Sequence, residues 1–310
     1  MNIPRRGSSL TRGVLMLLLA ALLSPLSAAG QLNYGTPDNP GEIDFDRPES
    51  WAMKYYTSVS VLTGLGVPGS VGEGNLVVGV EGGFIPTLSD DQRRVGFNGT
   101  KLEDLNKTSL FGRLRVTLGL PSDAELTLAY VPPVELNGVK PNLFAAALGV
   151  PLFRSREFRV GARVHGQIGS LKGDFSCDAE TVAFGTDPTN NPFGCDAISD
   201  DRTTQNYVGI ELSAATQTAS AVEPYIAVGA NRFATEFETN AVTFGTLDNS
   251  TFKTSGTTLY GTAGLRFDVS DRVVVGGEVF YSPLSVVRPG DPSAQGDGLL
   301  NGRGMLQIRF

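Results

Sequence analysis

From Leu76 onward the chain alternates. Apolar side chains occupy every second position in one stretch after another: Leu76, Val78, Val80, Gly82 and Phe84; Leu110, Gly112, Leu114, Val116 and Leu118; Leu126, Leu128 and Tyr130; Phe144, Ala146, Leu148 and Val150; Phe158, Val160, Ala162, Val164 and Ile168. The series resumes with Val208, Ile210, Leu212 and Ala214; Val222, Ile226, Val228 and Ala230; Leu259, Ala263, Leu265 and Phe267; Val273, Val275, Val279 and Tyr281; and finally Gly302, Gly304, Leu306, Ile308 and Phe310. A period of two places these residues on one face of an extended strand and their neighbours on the other. The pattern predicts ten strands over residues 74–310.

The connections alternate too. Four are tight: "PSDA" at 121–124, "FRSRE" at 153–157, "TQTAS" at 216–220 and "VSDR" at 269–272. Between them lie long ones, roughly 87–108, 132–140, 170–205, 233–255 and 284–298. Short turns on one side of a sheet and long loops on the other are how a transmembrane barrel meets two aqueous compartments. A soluble sandwich would explain the alternation but not this asymmetry.

Composition fits the same picture. The first 30 residues carry Arg5, Arg6 and Arg12, an apolar run from Val14 to Leu23, and the small residues "SAAG", which together read as a secretory signal peptide. Three of the 25 basic residues fall in that leader, which leaves 22 against 32 acidic ones, a net charge of about −10 that argues against a nucleic-acid partner. Beyond the leader no apolar run reaches helical spanning length, whereas a barrel strand crosses with about 9–11 residues. The closing "GRGMLQIRF" ends in an aromatic residue. It resembles the last strand of Gram-negative outer-membrane β-barrels, and that resemblance implies that Leu306, Ile308 and Phe310 carry a signal for the barrel-assembly machinery. The fold expected is all-β, an antiparallel up-and-down transmembrane barrel of about ten strands, twelve being the alternative. The outer membrane is its expected location, with membrane lipid and lipopolysaccharide as surroundings.

If the apolar faces meet lipid, the other faces line the lumen. They carry Glu81, Arg113, Arg115, Glu125, Arg159, Arg163, His165, Gln167, Glu211, Glu223, Tyr225, Tyr260, Arg266, Glu278, Arg303 and Arg309. Every cation there is arginine and every anion glutamate. Guanidinium and carboxylate join by planar, two-pronged hydrogen bonds, which suits a crowded interior. Adjacent strands supply opposite signs: Glu81 beside Arg113 and Arg115, Arg163 beside Glu211, Glu278 beside Arg303. Two readings follow, a solid polar core or a narrow channel favouring small polar or anionic solutes.

His165, the sole histidine, shares a face with Arg163 and Gln167, while nearby Ser170 has the opposite parity. No catalytic triad is suggested. No cofactor or metal is implied, and the expected protein is non-enzymatic, a hydrolase at the outer rim being the alternative. Cys177 and Cys195 are the only cysteines and share one long external loop, so in an exported protein they are expected to form a disulfide. Closing a loop of that size stabilises by about 3 kcal/mol. The same loop bears Asp174, Asp178, Glu180, Asp187, Asp196, Asp200 and Asp201, read as a solvated tip, the alternatives being divalent-cation bridging to lipopolysaccharide phosphates or the binding of a cationic ligand.

Residues 31–73 lack the alternation. Within them "DRPESW" offers Asp46 as a helix cap and Pro48 in the first turn, whereas "YYTSVSVLT" favours strand. This extension is expected to be a periplasmic or lumen-inserted segment, a plug or short helix, or the anchor for a periplasmic partner.

Overall fold

The computed structural model describes residues 34–216 and 221–310. The expected leader, 1–30, and most of the turn at 216–220 lie outside the described residues. Ten antiparallel strands form the wall: β1 (Leu76–Phe84), β2 (Leu110–Gly119), β3 (Glu125–Val131), β4 (Val139–Arg154), β5 (Phe158–Gly173), β6 (Asp201–Thr216), β7 (Val222–Glu238), β8 (Thr251–Asp268), β9 (Val273–Ser282) and β10 (Leu299–Arg309). Each pairs with the next, and β10 returns to β1 through the register Arg303↔Gly83 to Arg309↔Val77, which closes the ring. Closure satisfies the edge strands' backbone groups, the condition for crossing hydrocarbon with strands.

The alternation becomes the in/out pattern of the wall. Leu114, Leu212 and Val228 point outward and are exposed, while their neighbours Arg113, Arg115 and Glu211 are buried. Strands β4 to β8 run to 16, 16, 16, 17 and 18 residues, longer than a bilayer requires, and rise beyond it on the long-loop side. The turn at 153–157 is shorter than its composition suggested, because Phe153 and Arg154 still belong to β4. Outside the membrane, Cys195–Ala197, Ala241–Thr243 and Thr246–Asp248 form a small sheet over the barrel. Cys177 and Cys195 are bridged, with Cα atoms 5.6 Å apart.

The segment before β1 threads the lumen. At its outer end Gly41 and Glu42 pair in parallel with Phe252 and Lys253, on the stretch of β8 that rises above β9. A helix α1 (Pro48–Val59) then enters the barrel, with Pro48 in its first turn; its N-cap is Arg47, not Asp46, and no side chain caps it. Ser60–Val71 continues downward without regular secondary structure, bending at Leu65–Gly66 and again from Pro68 to Val71, and Gly69–Val71 meets Glu125 at the periplasmic end. The strand-favouring run is thus split. Its first part completes the helix and the rest continues without joining a sheet. In this arrangement residues 58–71 lie among the inward-facing side chains of the wall.

Candidate functional site

The segment between Ser58 and Val71 has few backbone partners of its own, so its carbonyls and amides must be satisfied by the wall. Arginines do most of this. Arg113 donates from Nη1 to the Ser60 carbonyl (2.8 Å) and from Nη2 to that of Val61 (3.0 Å). Arg303 donates to the carbonyls of Val61 (2.6 Å), Ser58 (3.0 Å) and Val59 (3.2 Å), and its guanidinium lies 4.0 Å from the Phe280 ring centre. Arg115 reaches Thr63, Arg163 reaches Leu62 and Arg159 reaches Gly69, at 3.1, 3.3 and 3.3 Å. Tyr207 Oη accepts from the Leu62 N–H at 2.7 Å. At the periplasmic end one oxygen of Glu125 accepts three successive N–H groups, those of Gly69 (2.9 Å), Ser70 (2.7 Å) and Val71 (2.8 Å). Gly69 takes φ +90°, in the region that favours glycine, and so turns these amides toward one acceptor.

The glutamates hold the arginines in turn. Glu81 bridges Arg113 and Arg115 at 2.5 and 2.6 Å, Glu211 meets Arg163 at 3.2 Å, and both oxygens of Glu223 accept from Arg159 Nη2 at 2.7 and 2.6 Å. Glu278 differs. Although it sits opposite Arg303 in the register, the two charges are 4.0 Å apart, because Arg303 is committed to the threaded carbonyls. Glu278 instead accepts from the hydroxyls of Thr63 (2.5 Å) and Tyr225 (3.0 Å), while Tyr260 donates to Glu211 at 2.8 Å. Gln167 donates to Ser60 Oγ and to the Gln205 carbonyl. His165 is buried at mid-wall with Nε2 2.8 Å from Asn231 Oδ1, edge-on to Tyr207 and Tyr260, and away from the outer rim. At the periplasmic mouth Arg309 donates to Asp268 at 2.8 Å. Arg266 is buried and makes no hydrogen bond or ion pair among the described residues. Leu306 and Ile308 lie exposed on the outer face of β10, and Phe310, just past its end, is exposed as well.

Several participants escaped the sequence reading, Tyr207, Asn231 and Thr63 among them. Tyr207 and Asn231 have the inward parity, so the same alternation could have found them. Thr63 lies in the patternless segment and had no such signal.

A second feature occupies the outer mouth. An apolar cavity of about 110 Å³ opens between α1 and the external loops, lined by Met53, Tyr56, Phe175, Phe193, Phe237 and Phe252 among others. Lys101 and Glu103 stand at its polar edge with Nζ and Oε2 2.8 Å apart. Burial pushes the Glu103 carboxyl up to about 7, against the pull of the Lys101 charge. The acidic loop beside it is largely self-bound. Asp201 accepts the N–H groups of Ser176 and Asn240, Asp174 pairs with Lys107 at 2.7 Å, Asp178 caps the turn at Thr181, and Asp196 accepts from Gly245.

No protein-family model and no curated protein matches the chain. Solved structures do. The attachment invasion locus protein Ail of Yersinia pestis is 14% identical over 77% of this chain and 99% of its own, with a TM-score of 0.30. The toluene transporter TbuX of Ralstonia pickettii is 9% identical over 78% and 90%, with a TM-score of 0.34. The outer-membrane protease OmpT of Escherichia coli is 9% identical over 76% and 92%, with a TM-score of 0.32. At such scores these likenesses carry no argument about activity. The chain's own geometry places it in their class: a closed ring of ten strands, apolar outward, with tight turns on one side and long loops on the other, is an integral outer-membrane β-barrel.

Proposed function

We propose that this outer-membrane barrel is closed at rest and serves as a surface-interaction protein, with its interior acting as scaffold rather than channel. The observation that carries the reading is the arginine-held segment Ser58–Val71, whose backbone is bonded to Arg113, Arg115, Arg159, Arg163 and Arg303 across the lumen. A conducting path would need many of these bonds to break together. In planar bilayers the wild type should show no steady conductance, and the double variant Arg113→Ala/Arg303→Ala should show stepwise openings. Steady wild-type conductance would return the reading to a narrow channel.

The aromatic cavity at the outer mouth supports a ligand for that surface. Dry apolar cavities of roughly 150 Å³ accept benzene-sized molecules, and this one is of comparable size. A small apolar molecule is the occupant that its walls favour. Xenon or benzene should perturb the NMR signals of Met53 and Phe237, and Ala52→Trp should abolish the effect by filling the space. Absence of any response in the wild type removes the ligand but leaves the closed barrel standing. A periplasmic partner finds little to grip in this segment, since Glu73, Gly74 and Asn75 are its exposed residues at that face.

A further inference from the structure

The periplasmic mouth contains a second cavity of different character. Its volume is about 200 Å³, and its lining is polar: Arg159, Arg266 and Arg309 with Glu223 and Asp268, and Ser70 of the threaded segment on one side. The charges in this group are unequally satisfied. Arg159 holds both oxygens of Glu223 with Nη2 and gives Nη1 to the Gly69 carbonyl. Arg309 holds Asp268. Arg154, at the rim, is paired at 3.5 Å with Asp123. Glu125, on the far side of the threaded turn, is occupied by three backbone N–H groups.

Arg266 is left over. It faces Glu223 across the β7–β8 register, yet Glu223 has turned to Arg159. Only 7% of Arg266 is exposed, it lines both this cavity and a smaller one of about 30 Å³ beside the segment Gly64–Val71, and no carboxylate forms an ion pair with it among the described residues. A buried guanidinium with carboxylates near it but none in direct contact leaves its donors unfilled, and their planar fork matches carboxylate and phosphate oxygens. Arg159 and Arg309 are balanced by Glu223 and Asp268, so the cavity keeps the net positive charge of Arg266, and low-dielectric walls concentrate its field there. Ser70, whose hydroxyl lies 3.4 Å from Glu125 Oε1, completes the wall on the side of the threaded segment. The volume exceeds what one water needs and leaves room for an anion with part of its hydration.

We infer that this mouth is a binding site for a small oxyanion, of phosphate or carboxylate type, entering from the periplasmic side with Arg266 as its principal partner. The inference uses the threaded segment as one wall and so assumes it in place, but it does not require the barrel to be non-conducting.

The test uses the full chain refolded in detergent and inorganic phosphate as probe, with thermal unfolding followed at constant ionic strength against chloride. Phosphate should raise the melting temperature in a saturable way, since a ligand of the folded state alone stabilises by mass action. Arg266→Gln should weaken the apparent affinity by about tenfold or more, the scale of a lost charged hydrogen bond. Glu223→Gln frees Arg159 and should tighten phosphate binding by roughly threefold or more. A site that only organises the wall would show no such gain. Phosphate acting no better than chloride overturns the inference, as does an unchanged response in Arg266→Gln. Should that variant fail to fold, an unchanged or weaker response in Glu223→Gln overturns it alone. Phosphatidylglycerol bicelles give the remaining arm: stabilisation by this lipid without any by free phosphate would mean a headgroup site and would end the proposal of a free anion. A conducting wild type with an intact phosphate response would sink the closed-barrel reading and leave this one.

Discussion

Between Pro48 and Val59 the threaded segment is helical and meets the barrel through side chains, with Trp51, Tyr55 and Val59 packed in one apolar cluster with Phe233, Phe280 and Leu299. Between Ser60 and Val71 it is irregular and meets the barrel through its backbone, with arginines on the carbonyls and Glu125 on the amides. The contrast follows from hydrogen bonding. A helix satisfies its own amides and carbonyls, so it can be surrounded by aromatic rings. An irregular stretch satisfies few, and in a lumen without a free strand edge polar side chains must supply the rest. The charged interior is where it is because the segment changes conformation at Ser60. Even the helix depends on polar contacts where its side chains are polar: Trp51 Nε1 donates to the Asp297 carbonyl, Lys54 to that of Ser285 and Tyr55 to that of Pro86, at 2.9, 2.8 and 2.8 Å.

The sharpest way to break this comparison is Glu81→Ala. It strips Arg113 and Arg115 of their shared carboxylate while leaving them buried, and removing one partner of a buried pair costs about 3–5 kcal/mol. Urea unfolding in detergent should show a loss of that size. A loss below about 1 kcal/mol would mean that the threaded carbonyls alone suffice for both arginines. Next is Trp51→Ala, expected to cost about 3 kcal/mol from lost aromatic packing. Here the loss should be local: external protease should reach α1 while the barrel keeps its compact mobility in unheated gels. Collapse of the barrel itself would show that the helix is structural to the wall and erase the distinction.

Glu125→Gln should have a smaller effect, about 1.5–3 kcal/mol for weakened charge-assisted bonds. Amide exchange at Gly69, Ser70 and Val71 should accelerate by tenfold or more, with α1 unaffected. Equal acceleration in both halves would show that they loosen as one unit. The mildest probe is pH. Glu103 is outside the membrane, and its carboxyl stands at about 7 when folded against an ordinary 4.5, so the folded state holds this proton more tightly than the unfolded chain. Its contribution to stability is full below pH 4.5 and is lost as pH rises through 7. The outer loop cluster should therefore loosen over that window, measured by proteolysis of the external loops, and Glu103→Gln should flatten the dependence. A cluster that instead tightens between pH 4.5 and 7 would mean the Lys101 contact outweighs burial.

The wall was legible from residues alone. Strand periodicity is local, and a bilayer penalises every misplaced side chain, so alternation such as Leu110 to Leu118 declares strand, face and crossing at once. Turn and loop lengths set the orientation, and two cysteines left one intramolecular pairing. What the lumen contains was not legible. Residues 60–73 carry no period because they are held through carbonyls and amides, which every residue has and no sequence pattern advertises. Whether Arg303 bonds Glu278, its register partner, or the carbonyls of Ser58, Val59 and Val61 was decided by the arrival of a segment 242 residues away in the chain. Arg266 shows the same dependence in reverse: its register partner Glu223 is on the page of the sequence, and only the packed structure turns that carboxylate to Arg159 and leaves a buried charge open to the periplasmic mouth. Side-chain parity is a property of a strand, whereas the sharing of one carboxylate among several arginines is a competition settled by three-dimensional distance.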